Sequence, residues 1–324
     1  MRIDAHEQSW PLDKPFRIAR GTRTEARVVV VAVSDGQDTG RGEAVPSARY
    51  GESAASVLAQ IESIKSVSSL DRQQIQKLLP AGAARNALDC ALWDLEAKIS
   101  GKRVWELANI PIVRSVETSF TISLDTPAAM AAAAGVNAAA PILKLKLGGD
   151  DLDLPRVQAV RETAPAARLL IDANESWSPG HFREAAPLLG QFGVELIEQP
   201  FPANADEVLE TLDHPVPVCA DESCHTSVDL PRLTNRYEVV NVKLDKTGGL
   251  TEALLLTERA RQAGFKLLMG CMVCTSLGIA PARLLASATD YVDLDGPLLL
   301  AGDRHHGIAY ENGRIGLPSR QLWG

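Results

Sequence analysis

Ile142-Leu143-Lys144-Leu145-Lys146-Leu147 and, about one βα unit later, Leu169-Leu170-Ile171-Asp172-Ala173-Asn174 are the stretches on which the reading of this chain turns. Each is a short apolar run broken by polar or charged residues at alternate positions, and alternate residues of a strand share a face. The two stretches predict strands at Ile142–Leu147 and Leu169–Ala173, and runs of the same kind predict further strands at Thr118–Ser123, Leu196–Glu198, Val218–Ala220, Val239–Leu244, Lys266–Leu268 and Tyr291–Leu294, eight in all. Each of the first seven is followed by a turn and an alanine- and leucine-rich helical stretch, the mark of βα units around a parallel sheet. Nothing resembles the G-x-G-x-x-G of an open dinucleotide fold, so the expected class is α/β with a closed barrel.

Upstream of Pro111 the texture differs. Ala26-Arg27-Val28-Val29-Val30-Val31-Ala32-Val33 reads as a strand ending at the turn former Asp35-Gly36. Helices are predicted over Ser53–Ser66 and Asp71–Leu79, the latter with Asp71 as its N-cap. A third runs from Ala83 to Lys98, with Leu88, Leu92 and Leu95 on one face, and ends near Gly101. Residues 1–112 are therefore expected to form an α+β domain, with the barrel over residues 113–300.

A chain of 324 residues with 45% hydrophobic side chains can bury a core of that size. Its 33 Lys+Arg against 41 Asp+Glu give a net charge of −8 and no cationic block, which argues against nucleic acid as a partner. No apolar run approaches the roughly 20 residues needed to span a bilayer, and the start lacks the apolar core of a secretion signal. The expectation is a cytoplasmic protein with no membrane partner. Its five cysteines then read as reduced thiols, and Cys271-Met272-Val273-Cys274 as barrel packing rather than a zinc or redox site.

The charged residues fall at the C-terminal ends of successive strands, where a barrel of this kind gathers its active site. They are Lys144 and Lys146, Asp172, Glu198, Asp221, Lys243, and Asp293 with Asp295. Parity pairs Lys144 with Lys146, Asp172 with Asn174, Asn241 with Lys243, and Asp293 with Asp295 on common faces. Any one alone reads as a surface residue or an ordinary ion pair; the set, inside apolar strands and at one end, reads as a site. Lys246 falls out of phase with Asn241 and Lys243 if the strand continues, and His305 and His306 read as surface residues.

Asp172, Glu198 and Asp221 are hard oxygen ligands with no His or Cys among them, suited to Mg²⁺, with Mn²⁺ as a substitute, rather than zinc. Three protein oxygens leave room for a substrate carboxylate. Lys146 and Lys243 flank the triad in strand order, so in a closed barrel they face each other across that substrate, the geometry of a racemase or epimerase. A proton α to a carboxylate is too weakly acidic for a side chain to remove unaided, and a divalent cation stabilises the enediolate as it forms. Lys144, of like charge beside Lys146, is expected to lower the Lys146 pKa.

Lys144-Leu145-Lys146, Ile171-Asp172-Ala173-Asn174, Glu198-Gln199-Pro200, Ala220-Asp221-Glu222-Ser223 and Asn241-Val242-Lys243 together resemble the muconate-lactonizing subgroup of the enolase superfamily. Within it, Asp293-Leu294-Asp295-Gly296-Pro297 resembles the dipeptide epimerases, and the match runs from Trp10-Pro11-Leu12 through Leu79-Pro80-Ala81-Gly82 to that motif. The resemblance implies an N-terminal capping domain, a modified (β/α)7β TIM-type barrel, and a C-terminal segment, residues 301–324, returning to the cap. It implies that Lys146 and Lys243 are the acid/bases with Lys144 beside the first, that Asp172, Glu198 and Asp221 hold Mg²⁺, and that Asn174 supports them. It further implies that Thr121, Cys271 and Val273 line the substrate site, that Asp293 and Asp295 bind the dipeptide's α-ammonium group, and that Arg23 meets a glutamate side-chain carboxylate. By its own surroundings Arg23 has no claim over Arg20.

The implied reaction is epimerisation of L-Ala-D-Glu and L-Ala-L-Glu at the glutamyl α-carbon, in the recycling of murein peptides. Electrostatics points the same way, since two carboxylates away from the metal repel an anion and attract a cation at the far end of the substrate. A dipeptide epimerase of other specificity, an o-succinylbenzoate synthase or muconate cycloisomerase, and a noncatalytic metal-dependent binder remain as alternatives. A homo-oligomer is allowed.

Overall fold

The computed structural model describes residues 1–67 and 70–324. Its N-terminal part is an antiparallel sheet of β1 (Arg2–Ile18), β2 (Gly21–Ser34) and β3 (Thr39–Ala44), backed by α1 (Ala54–Ser63), α2 (Arg72–Leu78) and α3 (Ala83–Ser100). Val29, Val31 and Val33 of β2 are buried in one core with these helices, while Val28 and Val30, on the other face of the strand, join the main core that includes the barrel. Hydropathy did not announce β1, because it is an edge strand whose side chains are mostly exposed and so carries no apolar alternation. Asp71 caps α2 by accepting the Gln74 N–H, and α3 stops at Gly101 in the left-handed conformation.

A short α4 (Val104–Leu107) and β4 (Val116–Glu117) lead into the repeat. It consists of β5 (Ser119–Ile122), α5 (Pro127–Val136), β6 (Ile142–Lys146), α6 (Asp153–Thr163), β7 (Arg168–Asp172), α7 (Pro179–Gln191) and β8 (Val194–Glu198). It continues through β9 (Val218–Ala220), α8 (Leu230–Leu233), β10 (Val239–Val242), α9 (Leu244–Thr247), α10 (Leu250–Gln262), β11 (Lys266–Gly270), α11 (Ser276–Leu285) and β12 (Tyr291–Asp293). The hairpin of β13 (Tyr310–Glu311) and β14 (Arg314–Ile315) then pairs with β4. All eight barrel strands lie where the apolar runs predicted them, in one sheet in chain order. One helix is missing from the expected series. After β8 the chain forms only a 3₁₀ segment at Asp206–Thr211, since Pro200 and Pro202 before it and Pro215 and Pro217 after it leave little helix-compatible chain.

The barrel is of TIM type, and β12 returns against β5 through side chains. Ser119 Oγ donates to Asp293 Oδ1 at 2.5 Å, the Leu294 N–H donates to Thr118 Oγ1 at 2.9 Å, and the Thr121 N–H donates to Asp295 Oδ2 at 2.6 Å. Inside, Ile142, Leu170, Leu196, Cys219, Val239, Leu268 and Tyr291 form an apolar plug. Two residues further along the same strands come Lys144, Asp172, Glu198, Asp221, Asn241, Gly270 and Asp293, so the period-2 pleat raises a polar layer directly on the apolar one. Gly270 is required there: a Cβ would stand 2.4 Å from Asn241 Oδ1.

The N-terminal unit is seated over this end by buried polar joints. Asp245 Oδ1 accepts from the Val45 N–H at 2.8 Å and from Asn86 Nδ2 at 2.9 Å, and Arg85 Nη2 donates to Thr247 O at 2.6 Å. The last residues lie against α3, where Trp323 Nε1 donates to Cys90 O at 3.0 Å and the Gly324 N–H to Asp94 Oδ1 at 2.7 Å. Among the described residues, no helix is long and apolar enough to cross a membrane.

Candidate active site

Asp172 ends β7, Glu198 ends β8 and Asp221 follows β9 by one residue, and an oxygen from each lies within 4.8 Å of the other two. All three are buried. Local geometry fixes each one. The Asn174 N–H donates to Asp172 Oδ1 at 2.9 Å, Asn241 Nδ2 donates to Glu198 Oε1 at 2.8 Å, and Gln199 Oε1 accepts the Asp221 N–H at 2.8 Å. Asn174 and Gln199 hold positive φ values of 45° and 37°, an uncommon conformation for side-chain-bearing residues that these hydrogen bonds hold in place. Three anionic oxygens this close, without nitrogen or sulfur, form a donor set that fits a hard divalent cation such as Mg²⁺.

Lysines surround the triad. Lys146 Nζ lies 2.6 Å from Asp172 Oδ2, and Lys243 Nζ lies 2.6 Å from Asp221 Oδ2 and 3.9 Å from Glu198 Oε1. Lys146 comes from β6 and Lys243 from the end of β10, on the two flanks of the triad in strand order. Lys144 is placed differently from the expectation. Rather than acting as a like-charged neighbour of Lys146 alone, its ammonium sits 2.6 Å from Glu198 Oε2, 2.6 Å from Asp293 Oδ2 and 3.4 Å from Asp172 Oδ2. Burial by itself disfavours that charge, but Asp293, Glu198 and Asp172 together raise the Lys144 pKa well above the usual lysine value.

Burial pushes the carboxyls upward, and the lysines decide which of them yields. Lys146 and Lys144 bring Asp172 down to about 2, and Lys243 and Lys246 hold Asp221 well below the ordinary range. Glu198, beside both aspartates, is raised. Across the barrel, burial and the neighbouring Asp293 raise Asp295 to about 6, while Lys144 overcomes burial and keeps Asp293 low.

A cavity of about 340 Å³ opens over this layer. Lys144, Lys146, Asn174, Asp221, Lys243, Thr121, Cys271, Val273, Asp293 and Asp295 all line it, and so does Arg23, which stands exposed on β2. Asp172 and Glu198 lie behind the lysines. All five thiols are free, and His305 and His306 are exposed.

Residues not singled out from the sequence also build the site. Arg20 Nη2 lies 2.6 Å from Glu222 Oε1 and Arg20 Nη1 donates to Asn174 O at 2.8 Å, while Arg49 Nε and Nη2 each donate to Glu175 at 2.6 Å. Two loops of the N-terminal unit are thereby pinned to residues that follow β7 and β9, two of the strands that carry the carboxylate triad. Lys246 is the second revision. The strand ends at Val242, and Lys246, on α9, turns back to place Nζ 2.7 Å from Asp221 Oδ1. Its three-residue spacing from Lys243, just ahead of Gly248-Gly249, is a helix-end signature that marks this turn in the sequence.

Residues 127–321 match the enolase C-terminal domain-like family, and residues 2–108 match the mandelate racemase / muconate lactonizing enzyme N-terminal domain. The chain is 48% identical over 319 residues to the L-Ala-D/L-Glu epimerase of Escherichia coli K12, covering 97% of this chain and 99% of that one. It superposes with a TM-score of 0.97, at 47% identity and 99% coverage of both chains, on an enolase family member from Agrobacterium tumefaciens with homology to dipeptide epimerases, solved with sodium and L-Ala-L-Glu bound. A dipeptide epimerase from Enterococcus faecalis, solved with Mg and L-Leu-L-Tyr, gives a TM-score of 0.90 at 30% identity, covering 98% of this chain and 96% of that one.

Proposed function

The chain belongs to the mandelate racemase / muconate lactonizing enzyme family of the enolase superfamily, and from that premise we propose that it is a dipeptide epimerase acting on L-Ala-D-Glu and L-Ala-L-Glu. The observation that carries the reading is the pair Lys146 and Lys243, each 2.6 Å from a different member of one carboxylate triad and both lining one cavity.

The dipeptide's C-terminal carboxylate lies at Asp172, Glu198 and Asp221, which hold Mg²⁺, with Mn²⁺ able to replace it. When bound, the cation supplies positive charge next to the carboxylate on which negative charge builds as the α-proton leaves. One lysine, neutral, removes that proton from one face. The other, as its ammonium, delivers a proton to the opposite face, and the pair exchange roles in the reverse direction. Lys144 stays cationic and compensates the buried Asp293 and Glu198. Asp293 and Asp295 meet the α-ammonium group, Thr121, Cys271 and Val273 line the dipeptide, and Arg23 meets the glutamyl side-chain carboxylate.

The same reading takes residues 1–112 as the cap, 113–300 as the barrel and 301–324 as the segment returning to the cap, in a cytoplasmic enzyme of murein-peptide recycling. Incubation with either epimer and Mg²⁺ in D₂O tests it: deuterium should enter the glutamyl α-carbon from both. A protein that exchanges neither epimer is not this enzyme. A mass-spectrometric screen of a small dipeptide library then separates an Ala-Glu enzyme from an epimerase of other specificity.

A further inference from the structure

Each triad carboxylate has lysines nearby, but Asp221 is the member with a close ammonium group on each of its two oxygens. Lys243 Nζ takes Oδ2 at 2.6 Å, and Lys246 Nζ takes Oδ1 at 2.7 Å. The two ammonium groups stand in different situations. Lys243 lines the cavity, where substrate can reach it, whereas the Lys246 side chain is 0% exposed. Beside this ion pair, Lys246 Nζ donates hydrogen bonds to Asp221 O at 2.5 Å and to Asn241 O at 2.8 Å. Two carbonyls take its hydrogen bonds and a carboxylate oxygen stands at ion-pair distance, so this fully buried ammonium group is directed at protein acceptors and not at substrate or solvent. Asp221 Oδ1 is buried and has no hydrogen-bond donor among the described residues, which leaves the Lys246 ion pair as its compensation.

We propose that Lys246 is a positioning residue for the metal site: it holds Asp221 through the Oδ1 ion pair and through the Asp221 carbonyl, and so fixes how this carboxylate faces the other two ligands. The inference rests on the reading of Asp172, Glu198 and Asp221 as the cation's ligands. The clamp also spans two elements, because Asn241 O belongs to β10 and Asp221 follows β9, and Asn241 itself donates to Glu198. One buried ammonium thus sets the spacing of two of the three ligands. A carboxylate freed from it could rotate about χ2 and present either oxygen, and loss of such outer contacts typically costs about 10–100-fold in metal affinity.

The test is Mn²⁺ binding, followed by the EPR signal of free Mn²⁺ with the full-length protein, in wild type, Lys246→Met, Lys246→Gln and Lys243→Ala. The expected result is a Kd raised about 10–100-fold in Lys246→Met, a smaller rise in Lys246→Gln, which keeps N–H donors for the two carbonyls, and a Kd unchanged or lowered in Lys243→Ala, which frees Oδ2. Circular dichroism establishes that each variant is folded; if Lys246→Met does not fold, Lys246→Gln decides. Wild-type Mn²⁺ affinity in a folded Lys246 variant overturns the inference while leaving the triad as a metal site. Failure of the wild-type protein to bind Mn²⁺ removes the reading of the triad, and the inference falls with it.

Discussion

Lys144 Nζ lies 2.6 Å from Asp293 Oδ2, so one of the two aspartates assigned to the substrate's ammonium group already carries a buried counter-ion. Ser119 Oγ donates to its other oxygen. Asp295, by contrast, accepts the Thr121 N–H through Oδ2 and has no lysine partner. The two aspartates are therefore unequal, and Asp295 has more capacity for a new cation.

Asp295→Asn should raise KM for L-Ala-L-Glu by roughly 10–100-fold, the weight of a hydrogen bond to a charged group at about 1.5–3 kcal/mol. With N-propionyl-L-glutamate, which lacks the ammonium, the same substitution should change KM little. Steady-state kinetics on the two substrates decides, and an equal penalty on both contradicts the assignment.

Lys146→Ala and Lys243→Ala should each lower epimerisation by about 10²–10⁴-fold, the usual weight of a positioned acid or base. Each should keep α-deuterium exchange from only one epimer, because a single remaining base reaches one face. NMR of L-Ala-L-Glu and L-Ala-D-Glu in D₂O reads both effects, and exchange of both epimers by both variants rules out a two-base site.

The joint between cap and barrel should make stability pH-dependent. Burial first, then Glu52 and Glu43, raise Asp245 to about 7, against hydrogen bonds from Val45 and Asn86 that lower it. A carboxyl raised in the folded state contributes its full stability below the unfolded pKa near 3.8, and loses it as pH climbs through about 7. The loss is at most about 4 kcal/mol. Both hydrogen bonds end on Oδ1, which an amide oxygen can replace. Asp245→Asn should therefore raise the melting temperature at pH 8, leave it nearly unchanged at pH 4, and flatten the profile between them.

Glu175 takes a bidentate bond from Arg49 and a third contact from Arg20 at 3.1 Å, and its side chain is 7% exposed. Glu175→Gln should loosen both cap loops, raising KM about tenfold, or about 1.4 kcal/mol, with a smaller effect on kcat. Limited proteolysis should then cut faster near Arg20 and Arg49. An unchanged digestion pattern would separate the ion pairs from loop order.

How much of this was legible in the primary structure follows from the range of each signal. Lys144, Lys146, Asp172, Glu198, Asp221 and Lys243 could be read because the pleat sorts side chains by parity within a strand and the βα repeat brings strand ends to one rim, both rules of short range. The positions of the barrel strands followed from the same apolar runs, although ends such as that of β10 at Val242 rather than Leu244 did not, while β1, exposed on an edge, left no such run. Thr121, Cys271, Val273 and Arg23 were named through family likeness alone, and the fold lines them along the cavity with the rest. Tertiary structure alone decided the pairings: that Lys144 serves Asp293 and Glu198, that Arg20 meets Glu222 across 202 residues of chain, and that Lys246 folds back under Asp221. A charge pattern along one strand states which groups face inward, but which cation neutralises which anion depends on distances across the barrel, and those exist only once it has closed.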